Sequence, residues 1–321
     1  MSKFISFIKE WSLIIAIFAG IIGYFVVVYL PLPSSDKHAL HELVGYVQPV
    51  LIFSMLFLTF CKVNIKDMRL RRWHIWILLL QSFFFVGLGL ILIAMPDSDF
   101  RVVLEGAMLC LICPTATAGA VITGKLGGDV NNVTTYTILI NIVTAVLIPV
   151  MVPFVHPHLG LDVGHSALLI LLKVFPLLLL PLVMAMLVRK FIPRFTAWLN
   201  TFPDLSFYLW ALALALAIAV TTHSIMTTHI DLATEIWLVA VSLVCCALQF
   251  WLGRKIGTIY GDKITAAQSF GQKNTVLAIW MGYTFFTPVT AVVGGFYSIW
   301  HNVVNSYQLY RHDHQNHSID S

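Results

Sequence analysis

The sequence predicts an all-α membrane protein of ten transmembrane helices in two halves of five. Three observations carry that reading. Of the 321 residues, 59% are apolar and only 11% charged, where soluble domains average about 25% charged. Mean hydropathy is +0.88, so much of the surface must face lipid. Ten apolar runs punctuate the chain, and its basic residues alternate between the loops that separate them. The net charge of +4 is dispersed over those loops and does not suggest a nucleic-acid partner.

An apolar run of about 20 residues crosses the hydrocarbon core as a helix. Such runs fall near 11–30, 44–61, 73–95, 102–124, 131–155, 166–188, 205–222, 233–252, 265–284 and 288–310. The first, from Trp11 to Leu30, lacks a small-residue cleavage site and reads as a span, not as a signal peptide. The halves are then 1–160 and 161–311, followed by a polar tail over 312–321. With the N-terminus inside, fifteen lysines and arginines fall in inside segments, among them Lys62, Arg71, Arg72, Lys125, Arg189 and Arg254. Only Lys37 and Arg101 fall outside. Basic residues concentrate on the cytoplasmic side of a membrane protein, so the expected location is the cell (inner, cytoplasmic) membrane, multi-pass, with both termini cytoplasmic. The outer loops carry acids and histidines instead, such as Asp97, His156, His158, Asp162, His229 and Asp231.

Among the ionisable residues inside the runs are Glu105, Lys173 and Lys273. Two runs also look broken. The fourth contains Cys113-Pro114-Thr115-Ala116-Thr117-Ala118-Gly119; proline removes a helix donor and clashes with the preceding turn. The ninth contains Ser269-Phe270-Gly271-Gln272-Lys273-Asn274-Thr275, where only Phe270 is apolar. Burying a lysine at mid-membrane costs roughly 2.5–3.5 kcal/mol on insertion scales, so a functional reason is expected for Lys273. Lys173 lies near the outer end, from which its side chain can snorkel. Breaks at matching positions of two halves point to the binding site of an inverted-repeat transporter. Open backbone at that depth must be covered by protein or line a cavity.

Other classes find little support. His41-Glu42 is followed by Leu-Val-Gly, not by a zinc-protease pattern, and neither paired intramembrane aspartates nor a G-x-S-x-G is present. No repeated filter sequence suggests a channel. The cysteines Cys61, Cys110, Cys113, Cys245 and Cys246 read as small core residues. His312, His314 and His317 read as part of a solvated tail, and His301 beside Trp300 as a packed, hydrogen-bonded group. No cofactor or metal is implied.

At the broken runs the sequence resembles the bile acid:sodium symporter family, as a bacterial-type member with altered sodium sites. Cys113-Pro114 through Gly128-Asp129 is similar to that family's Cys-Pro-Gly-Gly-Thr-Ala-Ser-Asn…Gly-Asp signature. Gly271, Asn274 and Leu277-Ala278 fit its Gly-Met-Gln-Asn-Ser-Gly-Leu-Ala pattern, Trp300-His301-Asn302 its last-helix element, and Gln81 its third-helix glutamine. The resemblance implies ten helices as two inverted five-helix repeats. Discontinuous fourth and ninth helices cross in a core domain that moves against a panel domain. It also implies transport of bile acids or other organic anions, usually with two sodium ions.

The family's sodium ligands are largely replaced. Its first site maps to Gly119, Ala120, Val133, Thr137 and Ser269, where only Thr137 keeps its hydroxyl and Ser269 stands for a glutamate. Its second site maps to Ser269, Gln81 and Lys273, the lysine standing for a glutamine. Sodium needs oxygen donors, as other hard cations do, and a sodium ion about 4 Å from an ammonium is repelled by roughly 4 kcal/mol at an effective dielectric of 20. The expectation is a secondary transporter of a small organic anion that works without sodium, with Lys273 in its place. Lys273 either stays charged and attracts the anion or exchanges a proton during the cycle. The resemblance and the breaks together nominate Thr115, Thr117, Gln272, Lys273, Asn274 and Thr275 for substrate, and Lys273, Gln81, Thr137 and Ser269 for ion coupling. The alternatives are sodium-coupled symport and a membrane sensor of the same fold. Expected partners are the anion, the bilayer and protons.

Overall fold

A computed structural model describes residues 12–31, 33–62, 68–157, 162–202, 204–228 and 231–317. These form thirteen helices. They are α1 (Ser12–Tyr29), α2 (Ser34–Lys62), α3 (Arg72–Ala94), α4 (Arg101–Ile112), α5 (Gly119–Lys125), α6 (Val130–Val155) and α7 (Val163–Phe191). They continue as α8 (Pro193–Asn200), α9 (Leu205–Thr227), α10 (Leu232–Ile259), α11 (Lys263–Gly271), α12 (Thr275–Phe285) and α13 (Pro288–His317). Among the described residues there is no strand, only one isolated backbone bridge. Lys3, Lys9, Lys66, His158, His229 and the tail beyond His317 lie outside the described residues.

An apolar chain in lipid must satisfy its backbone within each segment, which selects helices. Their starts are written locally. Asp129 Oδ1 accepts the backbone N–H groups of Asn131 (2.8 Å) and Asn132 (3.0 Å) to open α6. Asp162 caps α7 through His165 N–H (2.9 Å), and Asp231 caps α10 through Thr234 N–H (3.2 Å). The backbone N–H of His165 and its ring, both bonded to Asp162, hold that exposed carboxyl below its ordinary pKa.

Six described helices, α2, α3, α6, α7, α9 and α10, are long and apolar enough to cross a membrane. The protein is a multi-pass membrane protein with apolar side chains turned outward, including Phe18, Phe83, Val244 and Trp251. The fourth and ninth predicted spans appear as pairs of short helices, α4 with α5 and α11 with α12, because each is unwound in its middle. Three features depart from the sequence reading. The helix α2 begins ten residues before its predicted span, the short α8 was not anticipated, and α13 runs on through residues assigned to the polar tail.

Helices α1, α2, α7 and α9 pack on one another as one group, and α3–α6 with α10–α13 as another; α6–α7, α9–α13, α9–α12 and α2–α12 join the two. The broken helices lie at the centre of the second group. Every residue from 105 to 116 and from 265 to 282 is buried. Loops assigned to one membrane side also meet in space. Arg189 Nη2 donates to the Cys61 carbonyl (2.7 Å), and Trp73 Nε1 to Asp262 Oδ2 (3.1 Å). At the other end Arg101 bonds the Val155 carbonyl, and the rings of Phe100 and Trp237 meet edge to face.

Candidate functional site

The two unwound segments cross and pair as a miniature antiparallel ladder. Thr115 bridges Lys273. Asn274 N–H donates to the Pro114 carbonyl (2.8 Å) and Ala116 N–H to the Gln272 carbonyl (3.0 Å). Pro114 has no N–H to donate, and the Cys110 carbonyl four residues before it accepts Gln249 Nε2 instead (3.4 Å). Side chains close the rest. Thr115 Oγ1 donates to the Ser269 carbonyl (2.6 Å), and Cys113 Sγ to the Asn274 carbonyl (2.9 Å). Asn274 also caps α12, its Oδ1 accepting Leu277 N–H at 3.2 Å.

Neighbouring helices supply further donors to the carbonyls that unwinding frees. From α3, Gln81 Nε2 reaches the carbonyls of Ile112 (3.2 Å) and Cys113 (3.3 Å), while its Oε1 accepts Tyr136 OH from α6 (2.7 Å). Thr144 Oγ1 adds a second bond to the Ile112 carbonyl (3.1 Å). Tyr297 OH, from α13, donates to the Gly271 carbonyl (2.7 Å) and accepts Gln249 Nε2 from α10 (3.1 Å). Gly271 itself is required by packing: a Cβ there would stand 2.4 Å from the Phe250 ring.

Within this closed backbone network, some side chains are left open. Lys273 is 1% exposed, and its Nζ has no hydrogen-bond partner. It sits 5.2 Å from the centre of the Phe270 ring, a weak cation–π contact. Its electrostatic neighbours are the thiols of Cys113, Cys110, Cys245 and Cys246, all free and buried. Sulfur is a poor acceptor for an ammonium, and among the described residues no carboxylate pairs with Lys273. Ser269 Oγ and Gln272 Oε1 are likewise buried without partners. Three orphaned polar groups within five residues call for a specific reason, since buried polar atoms are nearly always bonded.

The positions nominated from the sequence divide into three sets. Thr115, Ser269, Gln272, Lys273 and Asn274 come together at the crossing, with Thr275 opening α12 beside them. Gln81 joins them, with both ends of its amide engaged. Thr117 is half-buried in the turn before α5, and Thr137 turns its hydroxyl back to the Val133 carbonyl (2.9 Å) on its own helix. At the first mapped sodium site Gly119, Ala120 and Val133 bring no side-chain oxygen, while Ser269 Oγ is open. A Cβ on Gly119 would meet a Thr115 methyl at 3.1 Å, Gln272 Oε1 at 3.6 Å and a Val133 methyl at 3.9 Å. Three of the five mapped positions thus carry no side-chain oxygen.

Tyr136, Asn141, Thr144, Gln249 and Tyr297 were missed. Asn141 is fully buried with neither side-chain atom bonded. A polar residue inside an apolar run was the available signal. Lys173 is exposed and takes no part in the crossing. His301 is packed edge to face on Tyr297, but its Nδ1 has no partner. Glu105 is buried near the opposite end, bonded by Thr290 Oγ1 (3.0 Å), 3.2 Å from Arg101 and 3.5 Å from His156.

No curated protein gives a significant match to the chain. A family model does, and the stretch it matches begins in α2, takes in the first broken helix and closes at the end of α9, more than half of the chain. With the crossing of broken helices already in view, that match over residues 49–228 establishes that the chain belongs to the Sodium Bile acid symporter family, a family of membrane transporters.

Proposed function

We propose that the protein carries a small organic anion, bile-acid-like or another carboxylate, across the cell membrane by alternating access. It does so without sodium, the Lys273 ammonium standing where the family's cation would. The two helix groups are the moving parts, and the two halves of the chain are inverted repeats. The basic end faces the cytoplasm, in accord with the charge of its loops.

The observation that carries this reading is the buried, unpaired Nζ of Lys273 at the crossing. An ammonium taken out of water without a partner is strongly disfavoured. At an effective dielectric of 20, a carboxylate about 4 Å away would gain roughly 4 kcal/mol, and a sodium ion at the same place would lose as much. The N-terminus of α12 begins two residues on from Lys273, and its dipole favours the same sign of charge. The oxygen atoms a sodium ion would need are missing at Gly119 and Val133, and the Gln81 amide is occupied.

Uptake of labelled cholate and of smaller carboxylates into proteoliposomes tests this, in sodium, in choline, and under an imposed proton gradient. Uptake in choline at the rate seen in sodium is expected, with loss of uptake in Lys273→Gln. Strict sodium dependence would overturn the reading. So would binding of an anion without movement, which is the behaviour of a sensor.

A further inference from the structure

We propose that the groove between α3 and α10 at the basic end of the bundle binds one anionic phospholipid. Its phosphate lies against Arg71 and Arg72, and an acyl chain runs along Trp76, Leu79 and Phe83. Two adjoining cavities define the site. The first, about 530 Å³, is lined by Arg71, Arg72, Trp73, Asp129, Tyr260 and Asp262 among others. The second, about 370 Å³, is almost wholly apolar and is formed by Trp76, Leu79 and Phe83 of α3 facing Ile256 and Ile259 of α10. Tyr260 lines both and marks the junction.

The layout matches a lipid in one leaflet. Residues three and four apart share a helix face, so Arg72, Trp76, Leu79 and Phe83 form a single stripe that is basic at its end and apolar below. At 1.5 Å per residue the stripe is roughly 16 Å long, about half the 30 Å hydrocarbon thickness. Trp76, Leu79 and Phe83 are 55%, 57% and 70% exposed, so the stripe is open to a chain lying on it.

Charge selects the headgroup. Asp262 already accepts Trp73 Nε1 and Asn132 Nδ2 (3.2 Å) through Oδ2, and Asp129 Oδ1 is spent on capping α6. Arg71 and Arg72 are exposed at the rim; Arg69 lies beside them in sequence, and the exposed Arg254, Lys255 and Lys263 lie within about eight residues of Tyr260 and Asp262, so basic groups outnumber the two acids. Guanidinium groups suit phosphate oxygens in a paired geometry, and basic pockets between membrane helices at the cytoplasmic leaflet favour anionic headgroups. The proposal does not depend on what is transported.

Native mass spectrometry of the full chain, with phosphatidylglycerol and phosphatidylethanolamine of equal chain length in equal amounts, tests the proposal. One phosphatidylglycerol should be retained over phosphatidylethanolamine by about tenfold, equivalent to 1.4 kcal/mol. R71Q/R72Q should abolish that preference and R71K/R72K should keep most of it. On the unaltered protein, short-chain phosphatidylglycerol should bind about tenfold more weakly than the long-chain form, and soluble glycerol phosphate should not displace it. Equal retention of the two lipids, an undiminished preference in R71Q/R72Q, no dependence on chain length, or displacement by glycerol phosphate would each overturn it.

Discussion

Gln81→Leu separates a scaffold role for this glutamine from an ion-binding one. The substitution keeps side-chain size and removes three hydrogen bonds: two to the carbonyls of Ile112 and Cys113, and one from Tyr136 OH. The Ile112 carbonyl retains Thr144 Oγ1. The Cys113 carbonyl loses the Gln81 bond and the Tyr136 hydroxyl its acceptor, both in the buried interior, where an unsatisfied group costs about 1–3 kcal/mol. Hydrogen bonds between membrane helices average nearer 0.6 kcal/mol in double-mutant cycles, which sets a lower bound. The expected loss is about 2–4 kcal/mol of unfolding free energy, with Tyr136→Phe losing less and the pair coupled by about 1 kcal/mol. Reversible unfolding of the purified protein in mixed micelles measures all four corners of the cycle. Sodium should leave the stability of the parent protein and of Gln81→Leu unchanged. A Gln81→Leu protein within about 0.5 kcal/mol of its parent, the ordinary tolerance of surface changes, or one that loses a sodium-dependent stabilisation, would exclude a scaffold role for Gln81.

Two further outcomes follow from packing and capping. Gly271→Ala drives a methyl into the Phe250 ring and should lower stability by about 1–3 kcal/mol; Gly45→Ala, with nothing within 4 Å, should be near neutral in the same unfolding assay. Asp162→Ala should lower the thermal midpoint at neutral pH. Because the Asp162 carboxyl titrates below its usual 3.8 in the folded protein, its contribution is present above that value and is lost as pH falls through the lower folded one. The difference between Asp162→Ala and its parent should therefore shrink in acid, as circular dichroism melts at several pH values would read.

The parts of the fold legible in the sequence were those that leave a contrast in hydropathy. A lysine flanked by glutamine and asparagine stands out in an apolar run because its burial is expensive, and that contrast located the break at Lys273. Pro114 and the small residues after it located the other. Their pairing through backbone groups was not visible in the residues themselves, since a bridge between Thr115 and Lys273 is written in carbonyl and amide positions, not in side chains. Nor were the braces obvious. Tyr136 and Tyr297 look like ordinary aromatic core residues, and only the direction of each hydroxyl shows its work. Thr137 illustrates the opposite problem: a hydroxyl one helical turn from an available carbonyl bonds back to its own helix, so residue type alone did not say where it points. Contiguous helix length alone would pass over the two broken spans, whose halves are cut below membrane length.

On the proposed function, the amine of Lys273 receives an anion at the crossing. Thermal unfolding of the purified protein across a panel of organic carboxylates, with sodium or choline as the counter-ion, tests it directly. A ligand at 100 times its dissociation constant stabilises the folded state by about 2.7 kcal/mol. At least one carboxylate should raise the midpoint of the unaltered protein equally in sodium and choline, and should leave Lys273→Gln unmoved. A carboxylate that stabilises both proteins alike, or that acts only in sodium, would rule out an anion site at Lys273.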